Sequence, residues 1–270
     1  SDAHGAQRVA AADAVQLVDR RGDQPRAAGA QRMAERIAPH VRRTPSWVLP
    51  SAALQIDGPP FELWLKLEQL QVSGSFKARG MFNRLLANPI PAAGVIAASG
   101  GNAGIAAATA ARALGVPAEI FVPTVISPAK RERLEGLGAR VVVTGAVYAE
   151  ALAACEQRQR ETGALMTHAY DQPEVLAGAG MLAREIEQQR GVPDALLVSV
   201  GGGGLIGGIA AWLDAAAAGG ARVPRLVAVE SEGCPTLHAA LAAGRIVEVS
   251  PSGLAVDSLG ARRVGELMFP

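Results

Sequence analysis

The sequence predicts an α/β fold in which short parallel strands are covered by helices on both faces. Short apolar segments alternate with helical segments from residue 94 to residue 243. Segments such as GVIAA at 94–98 and ALLVSV at 195–200 are apolar throughout, which is typical of strands buried on both faces. Turns rich in glycine, serine and proline punctuate these segments.

The N-terminal part of the chain is less regular. Residues 1–30 are expected to form an arm, in which 10–17 has helical character and RRGDQPRAAG at 20–29 is a linker rich in breakers. Apolar spacing predicts a short amphipathic helix, and alternation in ELWLKL predicts a strand. The expected elements here are a helix at 33–41, a strand at 62–67, a loop at 68–75 and a helix at 76–87.

From residue 94 the alternation predicts a regular series of strands and helices. The predicted strands are 94–98, 118–122, 140–144, 166–167, 195–200 and 226–230. The predicted helices are 103–114, 129–137, 149–162, 173–189, a helix that follows four glycines and ends at about 218, and 236–243.

Composition excludes several functional classes. The 270 residues are 49% hydrophobic and carry a net charge of +1, and aromatic residues make up 4%, so a nucleic-acid-binding surface is not expected. No apolar run approaches the roughly 20 residues of a membrane span, and no signal peptide is expected in residues 1–30. The two cysteines, Cys155 and Cys234, form neither a zinc motif nor a disulfide framework, so we expect no metal site and a cytoplasmic location.

Four consecutive glycines, Gly201–Gly204, separate the 195–200 strand from its helix. Bare backbone N–H groups at a helix N-terminus favour an anion such as phosphate, although a tight turn without ligand is the alternative. Gly202, Gly204 and Gly207 also fit a dinucleotide fingerprint with Glu230 as its ribose carboxylate. Glu230 follows Gly202 by about 28 residues, whereas about 20 is usual. The long spacing weakens the dinucleotide fingerprint, but the glycine pattern keeps a nicotinamide-dependent oxidoreductase open as an alternative.

A lysine, Lys77, lies in a second small-residue loop that begins at Ser73. Phe76 beside it would place an apolar wall next to the amine, and an amine partly removed from water becomes nucleophilic. A solvated surface lysine is the alternative interpretation.

The third loop, Ser99-Gly100-Gly101-Asn102-Ala103-Gly104, suits a carboxylate, although an ordinary helix start capped by Ser99 or Asn102 is the simpler interpretation. A phosphate site, an imine-forming lysine and a carboxylate site together match the needs of a pyridoxal-phosphate enzyme that acts on an amino acid.

The three loops carry a family resemblance. The segments KLEQLQVSGSFKARG, ASGGNAG and SVGGGGLIGGIA resemble, in sequence and order, the fold-type II pyridoxal-phosphate enzymes, in particular the serine/threonine dehydratase (threonine ammonia-lyase) and serine racemase group. The resemblance covers about residues 30–269. It implies a tryptophan synthase β-like fold with two domains, each an open, largely parallel sheet. Residues 31–93 and 173–270 would form the large, cofactor-binding domain, and 94–172 the small, mobile one.

The resemblance also implies roles for individual residues. Lys77 would hold pyridoxal 5'-phosphate as an imine and act as the catalytic base, with Phe76 near the ring. Asn102 would bind the ring's 3-hydroxyl oxygen. The residues implied for the substrate carboxylate are Ser99, Gly100, Gly101, Asn102 and Ala103, and those implied for the phosphate are Gly201, Gly202, Gly203, Gly204 and Leu205.

The implied activity is conversion of L-threonine or L-serine to 2-oxobutyrate or pyruvate and ammonia, in a homodimer or a higher homo-oligomer. Racemases of the group carry a second serine where this chain has Gly100, which favours dehydration over racemisation. Ala103 and Gly104 stand where the family commonly has His and often Gln. Serine racemase and hydroxyaspartate dehydratase are alternatives within the group. Because GLAVDSLGARRVGELMFP ends where relatives continue, an inactive binding protein is an alternative outside it.

Overall fold

The computed structural model describes residues 25–269, so the helix predicted at 10–17 lies outside the described residues. The first helix, α1 (Pro25–Ile37), begins inside the segment predicted as a linker. Its residues Ala30 and Met33 are buried in the core. The predictions of a linker at 20–29 and of an arm that extends to residue 30 are therefore wrong from Pro25 onward, because proline is well tolerated in the first turn of a helix.

The chain then forms an antiparallel strand pair, β1 (Ser46–Pro50) and β2 (Glu62–Lys66), in which Trp47 lies opposite Leu65. The strand at β2 was predicted and β1 was not. Two short 3-10 turns, Ser51–Leu54 and Glu68–Leu70, flank β2, and helix α2 spans Lys77–Leu86.

A four-stranded parallel sheet follows, with strand order β5-β4-β3-β6. Its strands are β3 (Val95–Ala98), β4 (Ala118–Val122), β5 (Arg140–Val143) and β6 (Leu165–Met166). The helices between them are α3 (Asn102–Ala113), α4 (Pro128–Gly136) and α5 (Tyr148–Thr162).

Both faces of this sheet are buried. Val95 and Ala97 belong to the core cluster that contains the alanines of α3. Ile96 and Ala98 belong to a second cluster with Cys155 of α5. Because successive strand residues point to opposite faces, these two clusters lie on the two sides of the sheet. The predicted parallel sheet with helices on both faces is confirmed.

The rest of the chain contains α6 (Pro173–Arg190), β7 (Ala195–Ser199), α7 (Gly204–Ala218), β8 (Arg225–Val229), α8 (Thr236–Ala243) and α9 (Val256–Leu259). Strands β7 and β8 are parallel. No strand within residues 25–269 joins them to β1 and β2, so the sheet expected in the large domain consists here of two separate pairs. The strands and helices predicted from 94 to 243 differ from the observed ones by at most one residue at either end.

Helix α6 packs against both α2 and α7, and glycines make the close approach possible. A Cβ atom at Gly178 would overlap the carbonyl oxygen of Arg79 in α2, and one at Gly180 would overlap that of Gly208 in α7. Lys77 begins α2 and Gly204 begins α7. The packing on α6 therefore brings two loops to one region: the lysine loop, from Ser73 to Lys77, and the glycine loop, Gly201–Gly204.

A buried charge cluster holds α2 in place. Arg79 is 1% exposed and forms ion pairs with Glu68 (2.7 Å) and Glu185 (2.8 Å). Glu185 also pairs with Lys66 of β2 at 2.5 Å. Burial alone would raise the pKa of Glu185, but the hydrogen bonds and positive charges of Arg79 and Lys66 hold that pKa below its usual value. The cluster ties β2, α2 and α6 together next to the lysine loop.

Candidate active site

Lys77 lies at the first position of α2 and is partly buried. Its Nζ donates a hydrogen bond to the carbonyl oxygen of Ala169 at 2.6 Å. The amine lies 4.9 Å from the ring centroid of Phe76 and 5.9 Å from that of Tyr170. The apolar wall predicted beside the amine is thus present, and Lys77 is not a solvated surface lysine.

Burial determines the protonation of this lysine. It lowers the pKa of Lys77 from 10.5 to about 8, since the charged form loses hydration that the protein does not fully replace. A neutral amine is the form that attacks carbonyl groups, and a pKa near 8 leaves a useful fraction neutral at weakly alkaline pH. Lys77 therefore has the environment of a nucleophile.

The glycine loop presents unpaired donors. Within residues 25–269, the backbone N–H groups of residues 201–206 find no hydrogen-bond acceptor. Gly203 has a φ of +86°, a conformation that favours glycine, and α7 begins at the next residue. Converging N–H groups at a helix N-terminus bind anions, so the loop has the chemistry of the predicted phosphate site.

Two side chains lie against the glycine loop, and sequence reasoning assigned neither to the site. A Cβ atom at Gly202 would overlap the ring of Tyr170, and one at Gly204 would lie 2.7 Å from the Cβ of Tyr170. A Cβ atom at Gly203 would likewise lie 2.5 Å from Cε of Met268. Tyr170 lies outside the three segments that carry the family resemblance, and nothing in the sequence around it indicates contact with the loop.

The loop at 99–104 does not form the expected helix start in which Ser99 or Asn102 is the cap. The N-cap of α3 is Gly101, no side chain caps the helix, and Ser99 Oγ instead accepts a hydrogen bond from the N–H of Gly101 at 3.4 Å. The interpretation of Ser99 or Asn102 as an ordinary cap is therefore wrong. In the described part of the chain the N–H groups of residues 102–104 donate no hydrogen bond, which leaves them available to a carboxylate.

Glu230 does not have the role that a dinucleotide site requires. Its carboxylate accepts hydrogen bonds from the backbone N–H groups of Leu237 and His238, both at 2.8 Å, and from the hydroxyl of Thr236 at 3.0 Å. The carboxylate caps the N-terminus of α8, where a negative charge is stabilised. The oxidoreductase alternative thereby loses its ribose-binding residue.

Residues 25–269 contain neither a metal-binding cluster nor a membrane-spanning helix. Among them, no group of three or more His, Cys, Asp or Glu side chains is placed to hold a metal ion. No helix among them has the length and apolar character of a membrane span.

Comparison with known proteins identifies the family. The family model described as "Pyridoxal-phosphate dependent enzyme" matches residues 37–270. The chain belongs to this family.

Two relatives of this chain carry names that refer to threonine or serine. An L-threonine ammonia-lyase from Geobacter sulfurreducens is 38% identical over 212 residues, which cover 77% of this chain and 51% of the relative. A serine dehydratase-like protein from Rattus norvegicus is 38% identical over 242 residues, which cover 87% of this chain and 70% of the relative. The chain spans about half the length of the threonine ammonia-lyases that it matches.

Solved structures of similar fold also include enzymes named for serine or threonine. Maize serine racemase matches with a TM-score of 0.80 and 30% identity, over 89% of this chain and 71% of that one. A threonine deaminase from T.th. matches with a TM-score of 0.79 and 33% identity, over 89% of this chain and 77% of that one. The predicted fold class, that of fold-type II pyridoxal-phosphate enzymes, is confirmed.

The residues present fit the cofactor of this family. Pyridoxal phosphate offers an aldehyde and a phosphate, and the site offers an amine with a lowered pKa and a loop of unpaired N–H groups. Lys77 and Gly204 border one narrow space, which Phe76 and Tyr170 also line. The buried hydroxyl of Ser75, two residues before Lys77, has no hydrogen-bond partner in the described residues. An amine, an anion site and an unsatisfied hydroxyl are thus close together.

Proposed function

We propose that this protein is a pyridoxal-phosphate-dependent ammonia-lyase that converts L-threonine or L-serine to 2-oxobutyrate or pyruvate and ammonia. The observation that carries the proposal is the shared space between Lys77, whose amine has a pKa of about 8, and Gly204 of the glycine loop. The names of relatives at 38% identity support the substrate class.

The proposal assigns each loop a role. Lys77 binds the cofactor aldehyde, with Phe76 beside the ring. Asn102 binds the ring's 3-hydroxyl oxygen. The N–H groups of Gly201, Gly202, Gly203, Gly204 and Leu205 bind the phosphate, and Ser99, Gly100, Gly101, Asn102 and Ala103 bind the substrate carboxylate. The unpaired N–H groups of residues 201–206 and 102–104 support the two anion sites.

When bound, pyridoxal phosphate supplies an aldehyde for the substrate amine and a ring that disperses negative charge from the substrate's Cα. Lys77 would accept the Cα proton at Nζ as a neutral amine. The carbonyl oxygen of Ala169 then accepts a hydrogen bond from the resulting ammonium. The substrate loses its β-hydroxyl as water. The unsaturated product then takes up one water on hydrolysis, so that L-threonine gives 2-oxobutyrate and ammonia.

Gly100 favours dehydration over racemisation within this proposal. Glycine offers no side-chain acid or base to the second face of the substrate. A Cβ atom at residue 100 would lie 3.0 Å from Cδ1 of Ile126, so the adjacent apolar side chain leaves little room for one.

The proposal includes movement of residues 94–172 against residues 31–93 and 173–270. Arg133 of α4 donates a hydrogen bond to the carbonyl oxygen of Ser73 at 3.0 Å, and this contact joins the smaller part to the lysine loop. Closure of the smaller part would exclude water from the reacting Cα.

We also propose a homo-oligomer in the cytoplasm. Trp47, 57% exposed, and Phe61, 43% exposed, lie on the β1–β2 hairpin and its loop, and exposed aromatic residues are typical of interfaces. Cys155 and Cys234 are free and buried, which fits a reducing compartment. Sedimentation equilibrium measures the assembly, and a monomer at assay concentration would contradict it.

A coupled 2-oxo acid assay with L-threonine and L-serine tests the activity. We expect turnover in the wild type, loss of turnover in Lys77→Ala, and retained turnover in Lys130→Ala, a variant at a surface lysine. The chain has three lysines, so borohydride reduction with added pyridoxal phosphate, followed by peptide mapping, identifies the modified one. Modification at Lys66 or Lys130 alone, or none at all, would contradict the proposal and favour an inactive binding protein.

A further inference from the structure

His168 lies in a turn with Ala169, whose carbonyl oxygen accepts the hydrogen bond from the amine of Lys77. The imidazole of His168 holds this turn together. Its Nδ1 accepts hydrogen bonds from the backbone N–H groups of Tyr170 (3.3 Å) and Asp171 (2.9 Å). The backbone N–H of His168 donates to Oε1 of Gln172 at 2.8 Å. Residues 168–171 therefore form a tight turn, and its conformation depends on the acceptor at Nδ1.

The carbonyl oxygen of Ala169 belongs to this turn, between the imidazole and the amides that it binds. This oxygen accepts the hydrogen bond from Nζ of Lys77 at 2.6 Å. Any change in the turn moves the carbonyl oxygen and so moves the resting position of the amine. His168 thus acts on Lys77 through one intervening residue.

The hydrogen-bond pattern determines the protonation state of the imidazole. A nitrogen that accepts hydrogen bonds carries no proton, so the ring is neutral with its proton on Nε2. Protonation of Nδ1 would convert the acceptor to a donor that faces two backbone N–H donors. The turn is therefore compatible with a neutral imidazole only.

The charged and titratable groups around the imidazole come from three parts of the chain. Asp171 belongs to the turn, Lys77 to α2, and Arg263 to the C-terminal segment, while the ring of Tyr170 lies edge-on at 4.7 Å. Burial lowers the pKa of His168, the positive charges of Lys77 and Arg263 lower it further, and Asp171 opposes them. The net effect favours the neutral ring.

We propose that His168 is a positioning residue for Lys77, whose neutral imidazole holds the 168–171 turn and keeps the Ala169 carbonyl oxygen at the amine. Protonation of the imidazole releases the turn, and the amine loses its acceptor. The consequence for catalysis rests on the proposed function, whereas the consequence for the turn does not.

Two variants separate acceptance at Nδ1 from other roles of the side chain. In His168→Asn, the amide oxygen occupies the position of Nδ1, can accept from the same two N–H groups as in an Asx turn, and does not titrate. His168→Ala has no acceptor. The two variants therefore make opposite predictions for the turn.

Amide hydrogen exchange of Tyr170 and Asp171 in the cofactor-free protein measures the turn directly. Rates are compared with those of unstructured peptide at the same pH. In the wild type we expect protection at about pH 7.5 and about tenfold loss at about pH 5. We expect His168→Asn to keep protection at both pH values and His168→Ala to lack it at both.

Turnover measured across the same pH range tests the link to the lysine. Protonation of Lys77 lowers activity in both proteins as the pH falls. The wild type should show an additional loss from protonation of His168, and His168→Asn should lack that additional loss. Protection of Tyr170 and Asp171 in His168→Ala, or equal acid sensitivity of wild type and His168→Asn, would overturn the proposal. If His168→Ala does not fold, the comparison of wild type with His168→Asn decides alone. If reduction labels no lysine at 77, the proposed function fails, while the exchange data still decide the role of His168 in the turn.

Discussion

The amine of Lys77 and the carbonyl oxygen of Ala169 lie 2.6 Å apart although 92 positions separate them in the chain. Lys77 begins α2, and Ala169 follows β6 of the four-stranded sheet. The environment of the amine is thus set by two parts of the molecule that are remote in sequence.

Removal of the Lys77 charge should stabilise the cofactor-free protein. The pKa of Lys77 is about 8 in the folded chain and 10.5 as an isolated side chain. The unfolded chain therefore binds the lysine proton more tightly than the folded chain does. The charged lysine destabilises the fold fully below pH 8, where it is protonated in both states. This destabilisation disappears as the pH rises from 8 to 10.5. After allowance for the lost hydrogen bond to Ala169, we expect Lys77→Met to raise the free energy of unfolding by about 2 kcal/mol at neutral pH.

Urea unfolding of Lys77→Met and wild type across this pH range measures the effect. Lys130→Met, at a side chain that is 35% exposed, is the matched control. A gain in stability that is the same for both variants, or that grows with rising pH, would contradict the prediction.

Gly202→Ala should weaken both the fold and cofactor binding. Its methyl group would overlap the ring of Tyr170, and overpacking of this kind costs about 1–3 kcal/mol. Displacement of the ring or of the loop also disturbs the N–H groups proposed to bind phosphate. Thermal unfolding and titration with pyridoxal phosphate measure the two effects. Gly136→Ala is the control, because its methyl group would meet no atom within 4 Å apart from its chain neighbours and its own helix backbone. This variant should leave both unchanged or raise stability slightly.

Glu185→Gln should be among the most damaging single substitutions outside the loops. It leaves the buried guanidinium of Arg79 and the ammonium of Lys66 without one of their carboxylates. Breaking a buried ion pair costs about 3–5 kcal/mol. Denaturant unfolding measures the loss. Glu135→Gln breaks an exposed ion pair with Arg131 and should cost no more than about 0.5 kcal/mol, so similar losses in the two variants would refute the distinction.

A hydroxyl at residue 100 should introduce racemisation if space is made for it. The side chain of a serine there would meet Cδ1 of Ile126 at 3.0 Å from its Cβ. Ile126→Val removes that atom, so we expect Gly100→Ser/Ile126→Val to convert L-serine to D-serine slowly and the wild type not to do so. Chiral chromatography of the amino acid measures the product. Comparable racemisation by the wild type would show that residue 100 does not determine the outcome.

Sequence alone determined the elements whose signals are local. The strands and helices from 94 to 243 follow from apolar runs, helical periodicity and glycine punctuation, each contained within a few residues. Lys77 and Gly201–Gly204 were found for the same reason: a nucleophile beside an aromatic residue, and a run of bare backbone at a helix start, are visible in the chain itself.

Only the tertiary structure decided the features that depend on partners distant in sequence. Strand β1 exists through its pairing with β2, and Glu230 serves α8 as a cap because Thr236 and Leu237 fold back onto its carboxylate. Packing of α2 and α7 on α6 brings Lys77 to Gly204, and it is the fold, not local pattern, that sets Tyr170 against the glycine loop and Ala169 against the amine. The physical reason is that hydrogen bonds, steric contact and desolvation depend on distance in space, whereas periodicity and turn chemistry depend on distance along the chain.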